Sequence, residues 1–382
     1  MRVLIFGGDG YLGWPTAMAL AARGHEVLTV DNYLRRTLAL QTNSEPLMPT
    51  PTLEARAAIF QAASGFLVEV AIGDLQDYGF MSRLVETHAP EAIVHYAEQP
   101  SAPYSMRGYP EAALTFQNNL TVTFNCIWAV LEQHKKCHII KLGTMGEYGT
   151  PNIDIEEGYI EINHKGRTER FLFPRQAGTL YHTTKVLDTD LLWFYVRLYN
   201  LRVTDLMQGP VYGIITDESA ADSRLYPHFN YDDIFGTLVN RFLVQAVAGV
   251  PLTVYGRGGQ TRGYINIRDT INCIEMAMFE PAQPGQLRVF NQIAETLSVN
   301  EIAEKVVSAG KDLGYEVQVR SIPNPRKEKE EHYYNPTHTG LRSLGLEPNL
   351  MTREVLAEMM ERVAHYKGRI DTAKVLPRVK WT

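Results

Sequence analysis

The sequence is poor in cysteine, and the few cysteines that it has are scattered. It contains 3 cysteines in 382 residues, Cys126, Cys137 and Cys273, and none of them forms a Cys-x-x-Cys pair. Such a pattern predicts free thiols in a reducing compartment. We therefore expect neither a disulfide framework nor a metal site.

The sequence also lacks an excess of positive charge and a long apolar run. It has 37 basic and 43 acidic residues, which give a formal charge of -6, whereas nucleic-acid-binding proteins usually carry a basic excess. No apolar run approaches the roughly 20 residues of a membrane span. Residues 1 and 2 lead directly into an apolar strand, without the features of a secretory leader. We expect a cytoplasmic protein without a nucleic-acid partner or membrane insertion.

Short apolar segments alternate with helical patterns through the first two hundred residues. The strand candidates are RVLIF, HEVLTV, FLVEVAI, AIVHY, HIIKLG and RVTDLMQ, and the helix candidates span 11–23, 78–88, 114–133 and 181–199. Nearly continuous apolar strands separated by helices are typical of a parallel sheet covered on both faces. The sequence therefore predicts an α/β fold with a doubly wound parallel Rossmann sheet.

The pattern changes after Gln208, where proline and glycine punctuate shorter elements. A helical pattern near residues 266–280 then returns to the sheet, which indicates a smaller, interleaved C-terminal substrate-binding domain. We assign 1–208 and 265–282 to the first domain, and 209–264 and 283–382 to the second. The run between the second and third strands, with a helical pattern at 53–63, is predicted to be a surface excursion.

A glycine-rich run follows the first strand and is typical of dinucleotide-binding proteins. Gly7, Gly10 and Gly13 form a G-x-x-G-x-x-G pattern at the start of a helix. Glycine permits the tight turn, and the helix N-terminus then offers N–H groups to a pyrophosphate. The second strand ends in Asp31, where an acidic residue accepts hydrogen bonds from an adenosine ribose. The first domain is therefore predicted to bind NAD.

The choice between NAD and NADP depends on three residues. Asp31 favours NAD because a 2′-phosphate would face its carboxylate, whereas Arg35 and Arg36 could bind such a phosphate. Asp74 and Leu75 follow the third strand, where an adenine is usually held, although Asp74 is also compatible with a plain turn. The predicted cofactor-binding residues are Gly7, Gly10, Tyr11, Leu12, Gly13, Asp31, Asn32, Arg35, Arg36, Asp74, Leu75, Tyr181 and Lys185.

Tyr181 and Lys185 form a Tyr-x-x-x-Lys pair, whose spacing places both side chains on one helix face. An ammonium group beside a phenol would lower the pKa of Tyr181, which makes it a candidate general base for a sugar hydroxyl. With Thr144 at the end of the fifth strand, these residues resemble the extended short-chain dehydrogenase/reductase superfamily. The resemblance implies that Thr144 hydrogen-bonds the hydroxyl that Tyr181 deprotonates, and that NAD oxidises the carbon.

Two segments of the second half, LTVYGRGGQTRGYINIRD and PNPRKEKEEHYYN, resemble nucleotide-sugar-binding segments of that superfamily. Arg262 and Arg326 would clamp a diphosphate, although two solvated arginines remain the alternative. The second domain is thus predicted to bind a nucleotide sugar. The substrate-binding residues implied by the resemblance are Thr144, Gln208, Arg241, Gln245, Tyr255, Gln260, Arg262 and Arg326.

Longer runs are similar to the UDP-sulfoquinovose synthase family over nearly the whole chain. These runs are GTMGEYGTPNIDIEEGYI, SAPYSM, PLTVYG, GGQTRGY and EEHYYN. The resemblance implies that the substrates are UDP-glucose and sulfite. The sugar is oxidised at C4, loses water across C5 and C6, takes up sulfite at C6, and is reduced at C4 on the same NAD. We also expect a homodimer, with a sulfite-delivering protein as an open possibility.

The elimination of water requires an acid or base that the sequence does not identify uniquely. Sugar 4,6-dehydratases carry two acids directly after the threonine, where this sequence has Met145 and Gly146. Glu147 is the candidate catalytic acid or base, with a buried structural carboxylate as the alternative. His182 is predicted to bind sulfite or orient the sugar, with simple packing against Tyr148 as the alternative.

One departure from the family pattern leaves open whether sulfite is the nucleophile that this protein uses. Pro100 stands where the family is expected to have arginine, and Arg107 is a candidate replacement for the missing cation. A UDP-hexose 4-epimerase or dehydratase without sulfite is therefore an alternative function. A catalytically silent NAD-binding regulator is a further alternative, disfavoured because both Tyr181 and Lys185 are present.

Overall fold

Strands and helices alternate through the first two hundred residues of the computed structural model, which describes residues 1–325 and 333–377. The strands are β1 (Arg2–Phe6), β2 (Glu26–Asp31), β3 (Val68–Ile72), β4 (Ala92–His95), β5 (His138–Thr144), β6 (Tyr159–His164), β7 (Arg167–Leu172), β8 (Arg202–Gln208), β9 (Val211–Tyr212), β10 (Leu252–Tyr255), β11 (Thr261–Asn266), β12 (Gln286–Gln292), β13 (Glu295–Ser298) and β14 (Val319–Ile322). The helices are α1 (Gly13–Ala22), α2 (Leu34–Gln41), α3 (Leu53–Ser64), α4 (Tyr78–His88), α5 (Ala102–Ser105), α6 (Tyr109–Gln133), α7 (Leu180–Tyr199), α8 (Leu238–Ala248), α9 (Ile267–Phe279), α10 (Val299–Asp312), α11 (Gly340–Ser343) and α12 (Arg353–His365).

Seven strands form a parallel sheet in the order β12-β8-β5-β4-β1-β2-β3. Successive side chains of a strand point to opposite faces. In β1, Val3 and Ile5 pack in a core with α1, α3 and α9, while Leu4 and Phe6 pack in a second core with α4, α6 and α7. All four side chains are fully buried. The predicted doubly wound Rossmann sheet is confirmed.

A second, smaller unit is interleaved with this sheet. It contains the three-stranded sheet β13-β11-β9 and the pair β10-β14. Helices α8, α10 and α12 pack around a third apolar core that includes Phe242, Ile302 and Met360. Strand β12 pairs with β8 in the main sheet, although the predicted division assigns residues from 283 onward to the second domain. The division itself stays a prediction.

The excursion between β2 and β3 is more ordered than the sequence predicts, because it contains α2 in addition to α3. The Thr52 side chain accepts a hydrogen bond from the backbone of Ala55 and so caps α3. Within residues 1–325 and 333–377, no helix combines the length and the apolar character that crossing a bilayer requires.

Candidate active site

A cavity of about 800 Å³ opens at the carboxyl edge of the main sheet, where open α/β folds bind their ligands. Residues at the ends of the strands form one side of it, among them Gly7, Asp31 and Thr144. The second unit supplies the opposite side, which includes Arg241 and Arg262. The cavity therefore lies between the two units, as expected for a site that holds a cofactor and a substrate together.

The turn between β1 and α1 forms a backbone cradle at one end of the cavity. Gly7 has a φ of +82°, in the left-handed region that favours glycine. A Cβ atom on Gly13 would lie 2.0 Å from the carbonyl oxygen of Gly7, so a side chain there would collide with the turn. The first turn of α1 has neither an acidic residue nor a side-chain cap, and the N–H groups of Leu12 and Gly13 at its start make no backbone hydrogen bond within the described part of the chain, which leaves them for an anion. Predicted residues that line this end are Gly7, Gly10, Tyr11, Leu12 and Gly13.

Asp31 ends β2 and lies at the cavity. The backbone N–H of Tyr33 donates to its Oδ1 over 2.7 Å, and that of Asp9 donates to its Oδ2 over 2.9 Å. Burial, followed by the charge of Asp9, raises the pKa of Asp31 to about 6. These contacts hold the carboxylate at the position where a ribose hydroxyl would donate to it. The cradle and this acceptor together fit a dinucleotide such as NAD.

The other predicted adenosine contacts do not all reach the cavity. The guanidinium of Arg36 instead donates to both carboxylate oxygens of Asp9 over 2.7 Å. Arg35 does reach the cavity and donates to Oδ1 of Asn230 over 2.7 Å. Sequence reasoning missed Asp9, although it lies inside the glycine-rich run, because its partners are distant in the chain. The predicted contacts that line this part of the cavity are Asn32, Arg35, Asp74 and Leu75.

Thr144 and Tyr181 line the middle of the cavity. Thr144 ends β5, and its Oγ1 accepts a hydrogen bond from the backbone of Gly146 over 3.2 Å. Tyr181 lies in the first turn of α7, where its backbone N–H donates to Oγ of Ser105 over 3.1 Å. The structure thus brings together the threonine and the tyrosine that the sequence predicted to act on one hydroxyl.

Lys185, a predicted cofactor contact, does not line the cavity, and its ammonium forms a buried ion pair with Glu98, which follows β4 and does line it. The sequence predicted that Lys185 would lower the pKa of Tyr181. In the structure the net shift has the opposite direction, because burial and then the charge of Glu98 raise the pKa of Tyr181 and outweigh the opposing charge of Lys141. Sequence reasoning missed Glu98, whose position three residues after the end of β4 was the available signal.

Glu147 lies beneath the site in a buried ionic cluster and does not line the cavity. Its Oε1 accepts hydrogen bonds from Lys141 and from the backbone of Thr144, each over 3.2 Å. Its Oε2 lies 3.5 Å from Nε of Arg175. Burial raises the pKa of Glu147, while Lys141 opposes this effect. These are the contacts of the structural carboxylate that the sequence left as an alternative, and the catalytic role stays an untested prediction.

His182 follows Tyr181 on α7 and lines the cavity. Its Nδ1 lies 3.1 Å from Oγ1 of Thr179, and its ring centroid lies 5.2 Å from that of Tyr181. A Cβ atom on Gly146 would lie 2.4 Å from Nε2 of His182. The imidazole therefore covers the position where dehydratases of the superfamily, by the resemblance above, carry the second acid of their pair.

The second unit contributes most of the predicted substrate contacts. The guanidinium carbon of Arg241 lies 4.1 Å from the ring centroid of Tyr255, and its Nη2 donates to the backbone of Thr253. Gln245 is fully buried and bonds Thr253 rather than lining the cavity. Arg326 lies outside the described residues. The predicted substrate contacts that line the cavity are Thr144, Gln208, Arg241, Tyr255, Gln260 and Arg262.

Comparison with known proteins shows the family and the fold of this chain. The model of the NAD dependent epimerase/dehydratase family matches residues 3–291. The structure of a UDP-glucose 4-epimerase from Thermotoga maritima has a TM-score of 0.70 and 20% identity, and the match covers 96% of this chain and 99% of that one. A UDP-glucose 4-epimerase from Bifidobacterium longum has a TM-score of 0.70 and 18% identity, with 98% and 100% covered. These structures show the fold.

Two relatives are similar over the full length of the chain. UDP-sulfoquinovose synthase of Spinacia oleracea is 46% identical over 100% of this chain and 79% of the spinach protein. UDP-sulfoquinovose synthase of Sulfolobus acidocaldarius is 45% identical over 100% of this chain and 98% of the archaeal protein. The chain belongs to the NAD dependent epimerase/dehydratase family and, within it, to the UDP-sulfoquinovose synthases.

Proposed function

We propose that the protein converts UDP-glucose and sulfite to UDP-sulfoquinovose on bound NAD. The observation that carries this proposal is the 46% and 45% identity, over the whole chain, to two enzymes of that name. The cavity supports it, because Thr144, Tyr181 and His182 line one continuous space with the cradle at the glycine turn.

The chain's own residues would hold NAD along the carboxyl edge of the sheet. The N–H groups at the start of α1 would bind the pyrophosphate, and Asp31 would accept hydrogen bonds from the adenosine ribose. Once bound, NAD supplies a reversible two-electron oxidation at C4 of the sugar.

Thr144 and Tyr181 would position the C4 hydroxyl and transfer its proton. In this scheme the Thr144 hydroxyl positions the substrate oxygen, and the Tyr181 phenolate removes its proton and later returns it. The pKa of Tyr181 is raised by burial and by Glu98 and is lowered by Lys141. In this scheme the ammonium of Lys185, one helical turn from Tyr181, would also stabilise the phenolate, and its ion pair with Glu98 would compete with that role.

Arg241, Arg262 and Tyr255 would bind the nucleotide half of the substrate. Both arginines line the second-unit side of the cavity, and an arginine can contact a diphosphate through two N–H groups at once. Tyr255 already lies beneath the Arg241 guanidinium, which limits the orientations of that side chain. Gln208 lies at the end of β8, on the side of the cavity that the main sheet forms, and from there it would reach the sugar.

We assign proton transfer in the elimination step to His182. Oxidation at C4 acidifies the C5 hydrogen, so a base takes that proton, a double bond forms between C5 and C6, and the C6 hydroxyl leaves as water. Sulfite then forms a bond to C6, and C5 regains a proton. His182 is a titratable side chain at the cavity beside Tyr181, and imidazole is well suited to such transfers near neutral pH.

Incubation of the protein with UDP-glucose, with and without sulfite, followed by mass analysis tests the overall proposal. A sulfonated nucleotide sugar that forms only when sulfite is present is the expected result. UDP-galactose as the product under both conditions would instead show that the protein is an epimerase. The motivating observation for this alternative is Pro100, which stands where a cation is expected.

The expected homodimer is supported by apolar side chains on the outer face of α6 and α7. Phe124, Phe194 and Leu198 are 43%, 50% and 56% exposed. Phe194 and Leu198 are four residues apart, on one face of α7, and α7 packs beside α6. The exposed apolar face that they form is suited to burial against a second copy. A sulfite-delivering protein and a cytoplasmic location stay predictions.

A further inference from the structure

A buried polar cluster around Asp9 lies directly behind the adenosine end of the cavity. The Asp9 carboxylate accepts two hydrogen bonds from Arg36, each over 2.7 Å, and one from Arg56 over 2.6 Å. Nε2 of His228 lies 3.1 Å from Oδ2 of the same carboxylate. Arg56 is fully buried, and the side chain of Asp9 is 3% exposed. Four segments that are distant in the chain therefore meet at one carboxylate.

The cluster controls which charges face the cavity. Asp9 and Asp31 line the cavity, whereas Arg36 and Arg56 lie behind Asp9 and do not. The Arg36 guanidinium is held further by the backbone oxygens of Thr50 and Pro51. An adenosine ribose bound at Asp31 would thus meet a carboxylate, while Arg36 and Arg56 are both held by Asp9. Arg35, which does line the cavity, donates to Asn230.

We propose that Asp9 determines the preference for NAD over NADP, by holding Arg36 and Arg56 away from the cavity and facing it together with Asp31. A 2′-phosphate would be repelled by the carboxylate of Asp31, and it would find neither Arg36 nor Arg56 available because both are paired with Asp9. The inference rests on the use of a nicotinamide dinucleotide in the proposed function. The sequence offered Arg36 as a possible ligand for a 2′-phosphate, whereas in the structure the partner of Arg36 is Asp9.

The test is titration of NAD and NADP into the full chain, freed of bound nucleotide with charcoal, followed by calorimetry. For the parent we expect tighter binding of NAD. In Asp9→Asn, the ratio of the NADP to the NAD dissociation constant should fall by about tenfold, because one carboxylate is lost and Arg36 is released. The double variant Asp9→Asn/Arg36→Gln should regain most of the parent ratio. An unchanged ratio in folded Asp9→Asn overturns the proposal.

Asp9→Asn leaves Arg56 buried without its counter-ion and is at risk of not folding, so Arg36→Gln in the parent provides an independent test. Because Asp9 already neutralises Arg36, this variant should discriminate between NAD and NADP as the parent does, within about twofold. Selective loss of NADP binding would show that Arg36 faces the phosphate, and would overturn the proposal. If the parent binds NAD and NADP equally, the proposal for Asp9 is overturned but the proposed function is not. If the parent binds neither nucleotide, both the proposal for Asp9 and the proposed function are overturned.

Discussion

Single side chains in this site are controlled by partners that are distant in the sequence. The Tyr-x-x-x-Lys spacing and Asp31 can be recognised from the sequence, because a helix face and the end of a strand are local features. The pairing of Lys185 with Glu98 crosses 87 residues, and that of Arg36 with Asp9 crosses 27. Such pairs depend on the folded sheet, which is why the net direction of the pKa shift of Tyr181 could not be predicted from the Tyr-x-x-x-Lys spacing.

Glu98→Gln should move the pH dependence of C4 oxidation to lower pH. Removing the Glu98 charge lowers the pKa of Tyr181, so the phenolate that accepts the proton forms at a lower pH. Stopped-flow absorbance of the reduced cofactor, measured at a series of pH values, reports the midpoint. Glu132→Gln is the control, because Glu132 pairs with Tyr78 on the surface. An unshifted midpoint for Glu98→Gln would show that Glu98 does not influence the base.

Glu147→Gln should reduce stability rather than stop the chemistry selectively. The change breaks a buried ionic contact with Lys141 and Arg175, and losing one member of such a set costs about 3 kcal/mol in the free energy of unfolding. Denaturant unfolding measures the loss. The control Asp190→Asn removes an exposed partner of the same Arg175 and should cost less than about 1 kcal/mol. Parent stability combined with a block before sulfonation would instead establish Glu147 as an acid or base.

At the scale of elements, the main sheet and a smaller, interleaved unit were predictable, whereas the shortest elements were not. Strands such as β1 and β5 are buried on both faces, so continuous apolar runs identify them. The two-residue strand β9 and the four-residue helix α5 carry no periodicity of their own and are defined by tertiary contacts. The packing of the first turn of α7 against the turn after β5 is likewise defined by tertiary contacts. This packing places His182 over Gly146.

Gly146→Ala should separate oxidation from sulfonation. The added methyl group would lie 2.4 Å from Nε2 of His182 and would displace the imidazole, while Thr144 and Tyr181 keep their own contacts. We expect reduced-cofactor absorbance to persist and sulfonated product to form about tenfold more slowly or worse. Gly368→Ala is the control, since a Cβ atom there meets no atom of the described residues within 4 Å and Gly368 does not line the cavity. Equal product formation by both variants would remove His182 from the elimination step.

At the scale of the whole molecule, the interleaved units enclose the site, and the outer helices are suited to association. The cavity contains residues of both units, so neither unit forms the complete site alone. The exposed apolar face of α6 and α7 lies outside this cavity, because Phe124, Phe194 and Leu198 do not line it. Assembly through that face would therefore leave the cavity open to substrate.

Phe194→Glu/Leu198→Glu should convert a dimer into a monomer while keeping the fold. Two carboxylates on the exposed face of α7 would be desolvated in the interface and would repel their symmetry mates. Sedimentation equilibrium measures the mass, and circular dichroism checks the fold. Phe279→Glu, at a side chain 63% exposed on α9, is the matched control and should leave the dimer intact. A dimeric double variant, or a monomeric parent, would contradict this interface.

Oxidation at C4 should permit replacement of the C6 hydroxyl by sulfite, and UDP-[6-13C]glucose as substrate reports on this replacement at the reacting carbon. Carbon NMR of the reaction with sulfite in D2O follows C6 itself. We predict that the C6 signal moves from a hydroxymethyl to a sulfonomethyl carbon and that the product carries deuterium at C5, because C5 exchanges its proton during elimination and addition. A C6 signal that remains hydroxymethyl while C4 is inverted would contradict the account and assign an epimerase.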